Sequence, residues 1–339
     1  MPIPSHIEQL QTPALIIDSG LLDGNLSTMA THLPGGQLRP HVKAHKCTEL
    51  ARLQHELGHH GFTCATIREI EGMVAAGLGD DLLLANEVLD ATRLGRLVAD
   101  GARVTVAVDS VATIEAAVSG GIREVLIDIN VGLPRCGCEL DDAARLAELA
   151  RQSGLEVRGV MGYEGHAIGI EDRATRAGKV AESMGILAAA HQIVGGPICS
   201  GGGTGSWDLN TAANEIQAGS YALMDTAYAK LGLPFATALT ITATVISVNR
   251  NGWAVADCGL KALGMDHGNP SMLDGSSVWY CSDEHIVFSP PDGAPLPAIG
   301  ERVSVLPAHI DPTMAYLEAA WVTDGTTIVD RWVIDLRGW

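Results

Sequence analysis

Positive charge is scarce in this chain: 22 Lys and Arg stand against 40 Asp and Glu in 339 residues, for a net charge of −18 and a pI near 4.9. No run of Lys or Arg is present to neutralise a line of phosphates, so nucleic acid is not an expected partner. No stretch approaches the roughly 18 uninterrupted apolar residues of a membrane span. The start, Met1-Pro-Ile-Pro-Ser-His-Ile-Glu8, has neither the basic nor the apolar region of a secretion signal. A soluble cytoplasmic protein with no membrane partner is expected. The seven cysteines, at 47, 64, 136, 138, 199, 258 and 281, form no C-x-x-C pair, so they read as buried free thiols rather than zinc or exchange sites. Internal repeats, low-complexity segments and long linkers are absent as well.

What is present is alternation. Short β-rich runs and helix-patterned stretches succeed one another up to about residue 225, the pattern of a parallel sheet wrapped by helices. The predicted strands are 14–17, 38–42, 61–65, 81–85, 103–108, 124–129, 156–161, 197–200 and 221–224. Segments such as 66–76 and 141–151 carry apolar residues at three- and four-residue spacing. Nine strands are one too many for a closed (β/α)8 barrel, and the first is the best candidate to belong elsewhere. Beyond about residue 235 apolar stretches alternate with turn residues, over 240–248, 252–257, 277–280, 302–306 and 319–322. This predicts a barrel over 18–234 and a β-rich second domain from 1–17 and 235–339, in which the N-terminal strand finds a pairing partner.

Three segments carry candidate chemistry. Arg39-Pro-His-Val-Lys43-Ala-His-Lys46 lies where a barrel strand ends, the end at which catalytic side chains of such barrels gather. Lys43 is the candidate there, and Lys46 is expected in the helix that follows. Ser200-Gly-Gly-Gly-Thr-Gly-Ser206 follows a late strand and is expected to open a helix; glycines let backbone N–H groups approach a phosphate closely. His309-Ile-Asp311 puts an imidazole and a carboxylate two residues apart, on one side of an extended chain, as a divalent ion with open positions requires.

Eight segments in order make a resemblance specific: Thr12-Pro-Ala-Leu-Ile-Ile-Asp18, Arg39 to Lys46, Leu84-Ala-Asn-Glu-Val88, Arg135-Cys-Gly137, Ser200 to Gly205, Glu215-Ile-Gln-Ala-Gly-Ser-Tyr221, Asp257-Cys-Gly-Leu-Lys-Ala262 and His309-Ile-Asp-Pro-Thr313. Together they resemble the D-threonine aldolase and D-serine dehydratase family, which has the alanine-racemase-like fold (fold type III) of pyridoxal 5′-phosphate (PLP) enzymes. The resemblance implies an α/β fold, a (β/α)8 barrel that binds PLP plus a smaller C-terminal β domain. It implies that Lys43 carries PLP as a Schiff base, and that Ser200, Gly202, Gly203, Thr204, Gly219, Ser220 and Tyr221 surround the phosphate. Arg135 and Tyr163 would lie beside the ring, Gln217 at its nitrogen, and His166 would be an acid or base. A homodimer is also implied.

Two departures from true racemases have a physical reading. Their pattern Tyr-Ala-Asp-Gly supplies a second acid/base, whereas the segment here is Val255-Ala-Asp-Cys-Gly259, and valine cannot move a proton. Their arginine at the pyridine nitrogen aligns with the neutral Gln217. Family dehydratases resemble His-x-Cys where this chain has His309-x-Asp311, and an oxygen ligand suits Mn²⁺ or Mg²⁺ better than Zn²⁺. The resemblance therefore implies cleavage of a small D-β-hydroxy-α-amino acid to glycine and an aldehyde. A D-serine or 3-hydroxy-D-aspartate dehydratase is the alternative, and a PLP carrier without robust catalysis the second. Ile310, where the aldolase motif commonly has Cys, and Met314-Ala-Tyr316 depart from the aldolase pattern, which leaves the substrate's β-substituent open.

Overall fold

The computed structural model describes residues 4–339, so residues 1–3 of the predicted second domain lie outside the described residues. Tertiary contacts divide the chain into two units. A barrel unit holds Met29–Lys43, Leu50–Gly219 and Gly338–Trp339; a β unit holds Ala44–Glu49 and Ser220–Arg337 together with the N-terminal residues through Thr28.

The first strand, β1 (Ala14–Asp18), belongs to the β unit, as its supernumerary place in the sequence pattern predicts. The barrel unit is built on β2 (Phe62–Cys64), β3 (Leu82–Leu84), β4 (Val104–Val108), β5 (Glu124–Asp128), β6 (Glu156–Gly162), β7 (Ile198–Gly201) and β8 (Glu215–Ile216). These run parallel in chain order, with helices in the connections from β2 to β7. The segment 38–41 joins the two ends of that sheet. Leu38 bridges to Ile216 and His41 to Thr63, both in parallel, while Thr63 donates its N–H to the Pro40 carbonyl at 2.9 Å. Pro40 has no N–H to give, and the pairing on each side is reduced to single bridges, yet the ring closes.

Two sequence expectations fail here: the strand 38–42, which makes only isolated bridges and runs into the 3-10 turn Val42–Ala44, and the strand 221–224. The predicted strand 221–224 is instead a 3-10 turn, Ser220–Ala222, and the last strand of the ring is the two-residue β8. Tyr221, Ala222, Leu223 and Met224 are all buried, so their apolar run reflects packing rather than strand pairing. Helices are closer to expectation. Ile67–Ala75 is capped by Thr66, whose hydroxyl accepts from Glu69 N–H, and Leu140–Gln152 buries Ala143, Leu146, Ala147 and Ala150 on one face.

The inside of the ring is layered. Leu83, Ala107, Leu126, Met161 and Ile198 form an apolar layer, with Ala85 packed against it. Two residues nearer the strand starts the layer is charged: Asp81 accepts from Arg39 at 2.7 Å and from Arg158 at 2.8 Å, and Arg158 also reaches Thr105 and, at 3.3 Å, Glu124. Arg39 is paired on its other side with Glu215 at 2.8 Å. Since Arg158 on β6 and Asp81 before β3 come from non-neighbouring strands, this contact crosses the interior. Burial works against the Asp81 charge, but hydrogen bonds and charge from Arg158 and Arg39 hold its carboxyl down to about 2.

Asp81→Asn removes one of two carboxylate partners from each of two buried guanidinium groups, and a loss of about 3 kcal/mol in unfolding free energy at pH 7 is expected from urea titration. The sign of the pH dependence follows from the lowered value. The ionised Asp81 stabilises fully above its ordinary 3.8 and loses that contribution as pH falls through about 2, so wild type and variant converge over that window.

The β unit is a mostly antiparallel sheet of nine strands among the described residues. Its long central strand, β9 (Leu239–Asn249), pairs with β10 (Trp253–Ala256) and with β1. The remaining strands are β11 (Ser271–Met272), β12 (Ser277–Cys281), β13 (Ile286–Ser289), β14 (Arg302–Leu306), β15 (Ala319–Asp324) and β16 (Thr327–Val333). β1 lies parallel to β15 and antiparallel to β9, burying Leu15 and Ile17 completely. No helix among the described residues is long and apolar enough to cross a membrane.

Candidate active site

Lys43 ends the barrel unit's first ring segment. It sits in the 3-10 turn Val42–Ala44, between two buried neighbours, with its own side chain partly exposed. The strand-like segment before it is held on both sides, so the root of the side chain is fixed. Lys46, expected in a helix, precedes one instead: it has φ +49, its carbonyl accepts from Leu336 N–H, and the helix begins at Thr48.

The glycine segment follows β7, the seventh member of the ring, where phosphate sites of such barrels recur. No helix follows it; residues 204–209 form consecutive turns closed by Asn210 N–H on the Ser206 carbonyl. The expected helix N-terminus is thus absent, and the segment offers backbone shape instead. Gly202 has φ +76, and Gly203 lies so close to Tyr163 that a Cβ would meet its Cε2 at 3.4 Å. The N–H of Gly202 donates to Glu164 Oε2 at 3.2 Å and that of Gly203 to Ser206 Oγ at 3.1 Å, so one amide ties the loop to the segment after β6 and the other ties it to itself. Ser206 Oγ in turn donates to Glu164 Oε1 at 2.7 Å. Burial pushes the Glu164 carboxyl up against these bonds.

Tyr163, just beyond β6, carries Arg135 over its ring, 5.4 Å from the centroid. His166, exposed in the same loop, packs on Gly132, where a Cβ would meet its Cε1 at 3.1 Å. Arg135, Tyr163, His166 and Gly203 therefore lie together at the mouth of the ring. Gln217, one residue past β8, gives its amide nitrogen to Ser200 Oγ at 2.9 Å, and Ser200 donates to Glu215 at 2.7 Å. Thr204, Gly219 and Ser220 are buried near the chain's passage out of β7 and β8, and Tyr221 is buried with its ring 5.6 Å from that of Phe235.

An aldehyde cofactor with a phosphate fits these groups. Lys43 supplies an amine, Arg135 a cation, and Gln217 a neutral amide. Asn210 supplies an orphan: its Oδ1 accepts from Ala212 and Ala213 N–H, and its Nδ2 is buried without a hydrogen-bond partner beside Gly202. An unpartnered buried donor beside a glycine loop suits an anionic oxygen.

Sequence reasoning missed a carboxyl group in this mouth. Asp128 ends β5, and burial, with the charge and hydrogen bond of Glu87, pushes its carboxyl well up, against the pull of Arg135. Glu87 belongs to the Leu84-Ala-Asn-Glu-Val88 motif, which was the available signal. The same Glu87, through a hydrogen bond, pushes the Cys136 thiol up to about 11, and burial pushes Cys138 to about 12. All seven cysteines are free thiols, as expected.

In the β unit, His309 and Asp311 stand at a helix start rather than on an extended chain. His309 is the N-cap of Ile310–Tyr316, with φ −145 and ψ 119, and Asp311 lies in the first turn, followed by Pro312 at a position a helix tolerates. Their facing atoms, His309 Nε2 and Asp311 Oδ1, are 3.8 Å apart. The helix is pinned by Asp225, which accepts from Ile310 N–H at 3.1 Å and whose carboxyl burial pushes up. Around His309, Asp266 accepts from Nδ1 at 2.8 Å and the His267 ring stacks at 4.0 Å, 7° from parallel. Neither residue was signalled by the sequence, since 43 positions separate Asp266 from His309. Burial opposes the Asp266 charge, but the hydrogen bond and charge of His309 hold its carboxyl below the ordinary value.

A parallel ring with a lysine at the end of its first member, a glycine loop after its seventh and a separate β unit defines the alanine-racemase-like class of PLP proteins. The family described as "Alanine racemase, N-terminal domain" matches residues 17–227, and "Putative serine dehydratase domain" matches 238–323. The chain is 33% identical to D-threonine aldolase of an Arthrobacter species, over 98% of this chain and 94% of that protein. It is equally 33% identical to 3-hydroxy-D-aspartate aldolase of Paracoccus denitrificans, over 90% of this chain and 86% of that one. The crystal structure of D-threonine aldolase from Filomicrobium marinum superposes with a TM-score of 0.93 at 33% identity, covering 100% of this chain and 99% of that chain. The chain belongs to the D-threonine aldolase and D-serine dehydratase family of alanine-racemase-like PLP enzymes.

Proposed function

We propose that this chain is an aldehyde-lyase that cleaves the Cα–Cβ bond of a D-configured β-hydroxy-α-amino acid to glycine and an aldehyde. PLP is held on Lys43, and a divalent ion on His309 and Asp311. The observation that carries the reading is the His309–Asp311 pair. A nitrogen and a carboxylate oxygen 3.8 Å apart can share one ion at about 2.1 Å from each, and oxygen ligation favours Mn²⁺ or Mg²⁺ over Zn²⁺.

When bound, PLP supplies an electron sink for the pair released from Cα, and the ion supplies Lewis acidity to the β-oxygen. The chain's own residues do the rest. Lys43 Nζ is the amine that would anchor the cofactor. Asn210 Nδ2 and the Thr204 hydroxyl would receive the phosphate, with Gly202, Gly203, Gly219 and Ser220 around it and the Gly202 and Gly203 N–H groups already engaged by Glu164 and Ser206. Arg135, stacked over Tyr163, would lie beside the cofactor ring, and Gln217, its nitrogen engaged by Ser200, would offer the pyridine a neutral partner. His166, exposed at the mouth, takes the β-hydroxyl proton. Val255, in β10, leaves the position of the racemase tyrosine without a proton donor, which disfavours racemisation. The same reading has the enzyme working as a cytoplasmic homodimer.

The dehydratase alternative draws on the match to a serine dehydratase domain over 238–323. Products decide between them. Incubation with D-threonine, D-phenylserine, 3-hydroxy-D-aspartate and D-serine, with and without Mn²⁺, is expected to yield glycine plus an aldehyde from at least one substrate, and only with the ion. Ammonia plus a keto acid overturns the aldolase reading, and no turnover of any of the four supports the carrier instead.

A further inference from the structure

We propose that Asp266 is a positioning residue: it holds the proton on Nδ1 of His309 and so aims the Nε2 lone pair at the ion shared with Asp311. The inference rests on the reading of His309 and Asp311 as ion ligands, and adds a residue to it.

The two ring nitrogens of His309 face different partners. Nδ1 lies 2.8 Å from Asp266 Oδ2, and Nε2 lies 3.8 Å from Asp311 Oδ1. An imidazole that ligates through one nitrogen usually donates a hydrogen bond from the other, which fixes its tautomer and ring orientation. Asp266 occupies the acceptor position for that bond.

Three potential ligands, Asp266, His267 and His309, lie within 4.8 Å of one another, so the trio has to be weighed as an ion site of its own. The geometry argues against it. Imidazole lone pairs lie in the ring plane, and the two rings are stacked 4.0 Å apart and only 7° from parallel. Their lone pairs run side by side instead of converging on one point. His267 thus braces the face of His309, while Asp266 sets its rotation about that face.

The local chain explains how residues 266 and 267 reach this place. Gly264 bridges antiparallel to His309, and its N–H donates to Thr313 Oγ1 at 2.9 Å, whose hydroxyl donates to the His309 carbonyl at 2.6 Å. A Cβ on residue 264 would sit 2.3 Å from Pro312 Cγ. Glycine alone lets the loop lie flush on the helix start, and two residues later Asp266 meets Nδ1.

The test is Mn²⁺ affinity of the PLP-loaded protein, read from the electron paramagnetic resonance signal of free Mn²⁺. Asp266 is more than half exposed, its side chain at 57%, so its replacement leaves no buried void. Asp266→Ala is expected to weaken Mn²⁺ binding by about 10- to 100-fold, at an unchanged stoichiometry of one ion per chain. Asp266→Asn, whose carbonyl still accepts from Nδ1–H, is expected to recover most of that loss. An Asp266→Ala affinity within about twofold of wild type overturns the proposal, because second-sphere loss is expected to exceed that. So does a second Mn²⁺ in wild type that this variant lacks, which would make the trio a site in its own right. His309→Ala and Asp311→Ala are the reference arms. If they bind Mn²⁺ as wild type does, it is the ligand reading itself that fails.

Discussion

Replacing Lys43 with alanine is expected to abolish the covalent cofactor band and to lower kcat/KM by at least about 10³-fold, the upper range for a group that takes part in bond chemistry. The effect is large because no other amine replaces it. Among the ring's loops, Lys43 is the lysine at a strand end, on a turn whose flanking residues Val42 and Ala44 are 0% and 1% exposed. The preceding segment is bonded to both neighbours: Arg39 N–H donates to Ile216, His41 N–H to Ala218, and the Pro40 carbonyl accepts from Thr63. Truncating the partly exposed side chain leaves that frame standing. Far-UV circular dichroism and the unfolding midpoint are therefore expected to match wild type while the absorbance of bound cofactor changes.

His309→Ala gives the second large effect. On the proposed reading, removing the imidazole takes away one of two protein ligands and with it the ion's Lewis acidity at the β-oxygen, a contribution of several kcal/mol. Turnover is expected to fall by about 10²- to 10³-fold, since each 1.36 kcal/mol is a factor of ten. The cofactor band is expected to stay intact, because His309 lies in the β unit and the amine proposed to hold PLP is Lys43. Asp311→Ala is expected to behave alike. This split separates ion loss from cofactor loss, and a variant with full activity removes the ion from the mechanism. Added Mn²⁺ at high concentration is expected to restore part of the Asp311→Ala activity, since His309 remains.

Much of this was legible in the sequence, for identifiable reasons. Strands with a clear pattern, such as Val104–Val108 in the barrel unit and Arg302–Leu306 in the β unit, fall within a residue of expectation because full burial marks the first and strict alternation the second. The displaced first strand was legible by counting. The two-residue Glu215–Ile216 was not, since its partners β7 and 38–41 are distant and polar residues bracket it. The apolar run at 221–224 misled because a buried turn and a buried strand have the same composition.

The candidate site divides the same way. Motifs gave Lys43, the glycine loop and the His309–Asp311 pair. What sequence spacing could not give is anything fixed by distant contact: Asp266 and His267 against His309, Glu164 against Gly202 and Ser206, Glu87 against Asp128. The helix expected after the glycines failed for a local reason. Ser206 accepts at its carbonyl from both Leu209 and Asn210, which closes a turn at Asn210, and the Asn210 side chain then takes the next two N–H groups.

Borohydride reduction of cofactor-saturated protein, followed by peptide mapping, addresses the anchor directly. A pyridoxyl mass on the peptide that contains position 43, and on no other lysine, is the expected result; an unmodified peptide there, or the label on Lys46, contradicts the account.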